Sequence, residues 1–278
     1  MTATMVGVAT GTAFAQENTE LGWSDTAELT LVFTGGNAEA STFGLRNELL
    51  RKWDGANLSV EVGALRGESS RITRVATGSS PLSFQVSKES VSALTAENYY
   101  GRGRYDRNLS AGTFWYAGAG WERNTFAGFE HRYTSGGGVG NTWVDDETST
   151  FRTAYGVSYT VQDDVAQTQG RDDTFAGVQL SYDYRRQVTA TTEFTSVLVA
   201  DENLEDTADF RGDLINAVAV NISSRLALKV SWQVLYDHLP AQIGLPLRLS
   251  SSAVTGDTVF TALDSVDQIV TFAVVARF

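Results

Sequence analysis

The stretch RLALKVSWQVLYDH, residues 225–238, alternates between two kinds of side chain. Leu226, Leu228, Val230, Trp232, Val234 and Tyr236 fall at every second position, with Ala227, Lys229, Ser231, Gln233, Leu235 and Asp237 between them. A strand sends successive side chains to opposite faces, so each set shares a face. A helix would scatter the apolar positions around its circumference. The stretch is therefore a half-buried strand. The same period opens the chain, where Trp23, Ala27, Leu29, Leu31 and Phe33 oppose Gly22, Thr26, Glu28, Thr30 and Thr34.

Outward from these two segments, period-two alternation predicts strands near 21–34, 41–53, 56–66, 94–106, 111–124, 126–144, 149–161, 174–185, 191–200, 208–220, 225–238 and about 260–278. That makes about twelve. Neither register is clean at 94–106 or 191–200. The segment 126–144 is too long for a straight strand, and SGGGVGN (135–141) predicts a bend or bulge within it.

Composition narrows the class. The 278 residues are 42% hydrophobic and 19% charged, with 26 glycines, 3 prolines and no cysteine. Disulfides and thiolate metal sites are excluded. A net charge of −12 argues against a nucleic-acid partner, because phosphate binding needs a basic face. No apolar run reaches the ~18 residues of a transmembrane helix. Residues 1–15 read as a signal peptide, with Ala13-Phe14-Ala15 before Gln16 as a small-x-small cleavage pattern, although a basic n-region is missing. Residues 16–278 then form a single domain.

The joins sort by end. Those at 54–56, 107–110, 145–148, 186–190 and 222–224 are short. Those at 34–40, 67–93, 162–173, 201–207 and 239–257 are longer, and several carry acidic clusters; only RNT (123–125) is tight. Transmembrane barrels sort loops this way, with short periplasmic turns and long outer loops. In such a barrel the apolar faces look outward to lipid and the polar faces inward. Here the polar faces mix signs, with Glu28, Arg46, Glu48, Lys52, Glu61, Glu130, Arg132, Arg152, Asp183 and Arg185. The apolar faces carry Trp23, Trp53, Trp115, Trp121, Tyr159, Tyr184 and Tyr236 towards strand ends, where half-wet rings suit a membrane interface. In hydrocarbon the sheet must also close, since an open edge leaves backbone groups unpaired. The expectation is an all-β, closed, antiparallel, up-and-down transmembrane β-barrel of about twelve strands.

The last strand, QIVTFAVVARF (268–278), sets Val270, Phe272, Val274, Ala276 and Phe278 on one face and ends on the aromatic. It resembles the C-terminal assembly signal of bacterial outer-membrane barrels, which implies the barrel assembly machinery as a partner. More broadly, WSDTAELTLVFTGGNAEASTFGL (23–45), GRGRYDRNLSAGTFWYAGAGWERNTFAGFEHRYTSGGGVGNTW (101–143), RLALKVSWQVLYDHLP (225–240) and the terminal strand resemble the salt-induced outer-membrane protein family, YdiY-like. The resemblance implies an outer-membrane barrel of undefined activity, associated with salt or osmotic response. The segment 79–94 departs from the familiar pattern.

Catalytic chemistry finds little footing. The two histidines are His131 and His238. By parity His131 shares the lipid face with Phe129 and Tyr133. Outer-membrane phospholipases carry a serine two residues past the histidine, where Tyr133 and Pro240 stand here. The pairs Asp145–Asp146, Asp163–Asp164 and Asp172–Asp173 read as solvated loops. Asp163, Asp164, Asp172 and Asp173 remain weak candidates for Ca²⁺ or Mg²⁺, whose hardness suits carboxylate oxygens. GGGVG (136–140) lacks the lysine and helix of a phosphate loop. No cofactor is expected. The expected partners are outer-membrane lipid and lipopolysaccharide, around a monomer. The expected function is a structural or envelope-stress role, with a narrow cation-preferring pore in view. Two alternatives stay open: an outer-membrane hydrolase of phospholipase or protease type, and a soluble periplasmic ligand-binding barrel.

Overall fold

The computed structural model describes residues 21–34, 38–80, 83–165, 173–240, 242–248, 254–262 and 265–278. The leader expected at 1–15 lies outside them. The elements are β1 (Gly22–Thr34), β2 (Ala38–Trp53), β3 (Ala56–Ser80), β4 (Ser83–Ser110), β5 (Thr113–Asn124), β6 (Phe129–Asp145), β7 (Ser149–Asp164), β8 (Thr174–Gln187), β9 (Thr192–Asn203), β10 (Phe210–Asn221), β11 (Leu226–Asp237), β12 (Gln242–Arg248), β13 (Val254–Ala262) and β14 (Val266–Arg277). Twelve of them close into one antiparallel barrel in sequence order, with β14 between β11 and β1. β12 and β13 pair only with each other, as a hairpin inside the last long connection.

The barrel is inside out relative to a soluble one. Glu28, Glu48, Glu61, Arg104, Asp106, Arg132, Arg211, Asp213 and Lys229 are buried. Leu29, Leu31, Val62, Val157, Leu180, Leu228, Val230, Val270 and Phe272 are exposed. Along β11 the period-two pattern decides each position: Ala227, Leu235 and Asp237 are buried, whereas Leu226, Leu228, Val230 and Trp232 are exposed. Alternation thus fixes both the element type and its facing.

Short turns gather at one end. Gly55 and Gly112 take φ of 70° and 83°, the left-handed backbone that two-residue hairpins need. In the 146–148 turn, the Asp146 carboxylate accepts from the amides of Thr148 (2.8 Å) and Ser149 (2.9 Å). Those donors, the Thr148 amide first, hold this fully exposed carboxyl below its ordinary range. The first and last barrel strands meet at the same end, where Phe278 N donates to Asp25 O at 2.9 Å and Asp25 N to Phe278 O at 3.2 Å.

Three expectations change. The join expected at 67–93 is strand almost throughout, because β3 and β4 stay paired from Gly67 outward to Ser80 and Ser83, with register shifts at Gly67/Glu68 and Gly78/Ser80. Serine, threonine and valine fill this extension, a composition that pairs as readily as it loops. The join at 239–257 holds β12 and the start of β13, and the last barrel strand begins at Val266. The glycine run 136–140 is regular ladder; the bulges of β6 fall instead at Phe129/His131 and Thr142/Val144. The first of these breaks the parity expected for 129, 131 and 133. Phe129 is fully buried, Tyr133 is 51% exposed, and Glu130, expected on the inner face, is a half-buried partner of Arg123 at 2.9 Å.

Candidate functional site in the barrel lumen

The inward faces of β1 to β4 and β11 meet in a chain of ion pairs. Lys229 Nζ lies 2.8 Å from Glu28 Oε1, which also receives Arg46 Nη1 at 2.8 Å. Arg46 reaches Glu61 through Nε at 2.8 Å and Glu48 through Nη2 at 3.5 Å. Glu61 also accepts from Arg102 Nη2 at 2.7 Å and from the Tyr100 hydroxyl at 2.9 Å. The register explains the meeting: Glu28 pairs with Arg46, Glu48 with Glu61, and Glu61 with Arg102, so every member shares the inner face. At 1% exposure Glu61 is the most enclosed of the group.

A second arrangement lies further round the lumen. Arg132 stacks over Phe129 at 3.9 Å, Arg152 over Phe114 at 4.0 Å, Arg104 over Tyr116 at 4.1 Å and Arg211 over Phe175 at 4.4 Å. Asp106 accepts from Arg104 at 2.7 Å and from Arg152 at 3.1 Å, and Asp209 from Arg211 at 2.9 Å. A guanidinium shielded from water gains from such a ring face, and its edge stays free for carboxylates. The glycine run supplies the clearance. A Cβ at Gly140 would collide with the Phe114 ring and sit 2.6 Å from Thr153 O, and one at Gly156 would meet the Tyr116 hydroxyl. Tyr100 lies in the same way over Gly63.

Between the two arrangements is a cavity of about 180 Å³. Glu28, Arg46, Tyr100, Arg102 and Arg132 line it from β1 to β6, and Val197, Ile215, Ala217, Lys229 and Ile269 from β9 to β11 and β14.

The remaining sequence candidates fall outside the lumen. Trp23, Trp53 and Tyr159 are exposed, while Trp115, Trp121, Tyr184 and Tyr236 are half-buried. At the short-turn end, aromatic neighbours form a belt: Trp53–Tyr105 with centroids 6.4 Å apart, Tyr105–Trp115 at 5.4 Å and Tyr184–Phe194 at 6.2 Å. At the long-loop end, Trp121 and Tyr236 sit beside the two histidines. His131 Nδ1 accepts from Trp121 Nε1 at 3.3 Å, and His238 Nδ1 lies 2.8 Å from the Tyr236 hydroxyl. Val270, Phe272, Val274 and Phe278 are all exposed, and Ala276 shares their strand face at half-burial. Asp163 is exposed in register with His131, Asp164 accepts from Gln162, and Asp173 is exposed. Asp172 lies outside the described residues, among which no group of three or more histidines and carboxylates is placed to hold a metal ion. The inward aromatics went unnoticed in the sequence. Their signal was parity: Phe114 and Tyr116 share a face with Gly118, Gly120 and Glu122.

Solved structures with a similar outline include the NanC porin, at TM-score 0.49 and 10% identity over 91% of this chain and 98% of that one. The translocator domain of the autotransporter NalP from Neisseria meningitidis aligns at 0.44 and 10% identity over 95% of this chain and 91% of its own. An anion-selective porin from Comamonas acidovorans aligns at 0.38 and 10% over 92% and 98%. No curated protein sequence matches. A family profile described as "Protein of unknown function, DUF481" matches residues 27–246, most of the barrel, and the chain belongs to that family.

Proposed function

We propose that this chain is an outer-membrane barrel of the bacterial envelope, in which lipid surrounds the apolar exterior and ion pairs and arginine–aromatic stacks fill the lumen. One observation carries the reading: large apolar side chains lie exposed around the barrel while carboxylates and guanidinium groups are buried in it. In water that arrangement would forfeit apolar burial and bury charge as well. In lipid the exterior is at home. The short turns then face the periplasm, and the aromatic belts lie at the two interfaces. Outer-membrane lipid and lipopolysaccharide surround a monomer, and the exposed terminal face from Val270 to Phe278 is what the assembly machinery meets.

Its role in this reading is structural, with a narrow path that prefers cations. The lumenal charges are largely paired, so the preference comes from the loop end, where Asp163, Asp173, Glu205 and Asp206 are exposed. A role under salt stress, which the family resemblance implies, suits a scaffold held by buried pairs, because salt screens such pairs much less than exposed ones. The test is purified protein in a planar bilayer under a KCl gradient. Small, cation-selective conductance is expected, and anion selectivity would overturn the pore. Slower gel migration after boiling in detergent checks the barrel itself, and protein that stays dissolved without detergent would overturn the membrane reading.

A further inference from the structure

The barrel closes through a seam unlike its others. Between β1 and β14 the ladder joins four positions, Thr26↔Arg277 to Leu29↔Val274. Every other barrel seam runs for eleven or more, and β1 itself stays paired to β2 as far as Thr34↔Ala40. Continuing the register would set Leu31 against Phe272 and Thr30 against Ala273, but no ladder joins them. β14 meanwhile stays paired with β11 out to Tyr236↔Val266. One seam, in the half of the barrel nearer the long loops, is thus unzipped on both strands. Unpaired backbone groups in hydrocarbon cost several kcal/mol each, so this stretch is the barrel's most readily occupied edge.

The lumenal cavity lies directly behind it. Thr30 on β1 and Ile269 and Thr271 on β14 flank the unzipped stretch and also line the cavity. Past this mouth the lining is mixed, with Val197, Ile215, Ala217 and Ile269 apolar and Tyr100, Arg102, Asp213 and Gln233 polar. Among the described residues, the buried Nε of Arg102 has no hydrogen-bond partner. The volume, about 180 Å³, is close to that of dry cavities of roughly 150 Å³ that hold one benzene.

We propose that the β1–β14 seam is a side portal through which a small amphiphile dissolved in the lipid layer enters the lumen. Its apolar body lies along Ile215 and Ile269, and its polar group faces Arg102. The size admits one ring or a short chain. The inference rests on the membrane reading above, and its test separates the two. The probe is a diazirine-bearing benzyl alcohol, photolysed with the protein in phospholipid vesicles, with labelled residues located by mass spectrometry. Labels at Leu228 and Val230 report contact with lipid, and labels at Ile215 and Ile269 report entry. A disulfide between Leu31→Cys and Phe272→Cys, free of competition in a chain without cysteine, should lower lumenal labelling at least fivefold, and reduction should restore it. Thr271→Trp, which fills the mouth without any cross-link, should do the same. Lumenal labelling that is absent, or unmoved by both variants, overturns the portal while Leu228 is still labelled. Failure to label Leu228 overturns the membrane reading itself.

Discussion

Replacing Glu61 by alanine is the sharpest probe of how the lumen is held. The carboxylate is 1% exposed and takes hydrogen bonds from Arg46, Arg102 and Tyr100. Its loss removes the carboxylate that Arg102 meets at 2.7 Å, while Arg46 keeps Glu28 at 2.8 Å. Breaking a buried pair from one side costs about 3–5 kcal/mol, because the remaining charge stays in place without its partner. At 1.4 kcal/mol per tenfold, that lowers the folding equilibrium constant by between about two and three and a half orders of magnitude. The assay is urea unfolding in phospholipid vesicles, followed by the gel shift between folded and unfolded bands. Glu61→Gln keeps an acceptor for Tyr100 and should fall between wild type and alanine. The double variant Glu61→Met with Arg102→Met should recover most of the loss, since apolar replacement of a whole buried pair is often neutral. A cost below about 1 kcal/mol for Glu61→Ala is the value of a solvated pair. That result would refute the packed lumen and put water around Glu61.

Three other tests, five substitutions in all, separate the surfaces of the barrel. Leu228→Arg, on the outward face, should cost about 2–4 kcal/mol in the same vesicle assay, whereas Ser231→Arg on the inward face of the same strand should be tolerated better; equal costs would contradict the inversion. Gly140→Ala should cost about 1–3 kcal/mol by overpacking against Phe114 and Thr153, while Gly103→Ala, whose nearest new neighbour is 3.7 Å away, should not. Phe278→Ala should leave the unfolding midpoint unchanged, because the side chain is 78% exposed and only its backbone is bonded to Asp25. The same change should slow accumulation of heat-modifiable protein in cells, and unchanged accumulation would remove the terminal aromatic from assembly.

The strand count, the facing of β1 and β11 and the polar lumen were legible because period-two alternation reads type and orientation from the same residues. What escaped had specific causes. The β3–β4 extension runs past its neighbours β2 and β5, whose pairing ends at Arg71 and Tyr99, so neither face need be apolar and the alternation that marks strands fades. The glycines at 136–140 were ambiguous, since clearance for a ring and freedom to bend call for the same residue; only the opposing Phe114 and Tyr116 distinguish the two. A single bulge reversed Phe129, because a one-residue slip exchanges every facing beyond it. Which carboxylate meets which arginine depends on register between strands, and that is set by turns such as Asp54–Gly55 rather than by either strand alone.

The inversion also determines which interactions can hold the barrel together. Lipid tails are as apolar as Leu228 or Val230, so packing the exterior against them gives little net drive towards the folded form. Burial of apolar area, the main stabilising term in a soluble barrel, is therefore weak here, and directional contacts inside must supply the difference. That accounts for a lumen in which Glu28, Arg46, Glu61 and Arg102 interlock and four arginines lie on aromatic rings. It also bears on why the β1–β14 ladder is short. The Lys229–Glu28 pair ties β11 to β1 across β14 at 2.8 Å, close to Leu29↔Val274, where the ladder stops. Beyond that point Thr30 and Leu31 on one strand, and Ile269 to Ala273 on the other, carry no opposite charges to draw the edges together. The ion-pair chain thus fixes how far the barrel zips, and the cavity lies where the zipping ends.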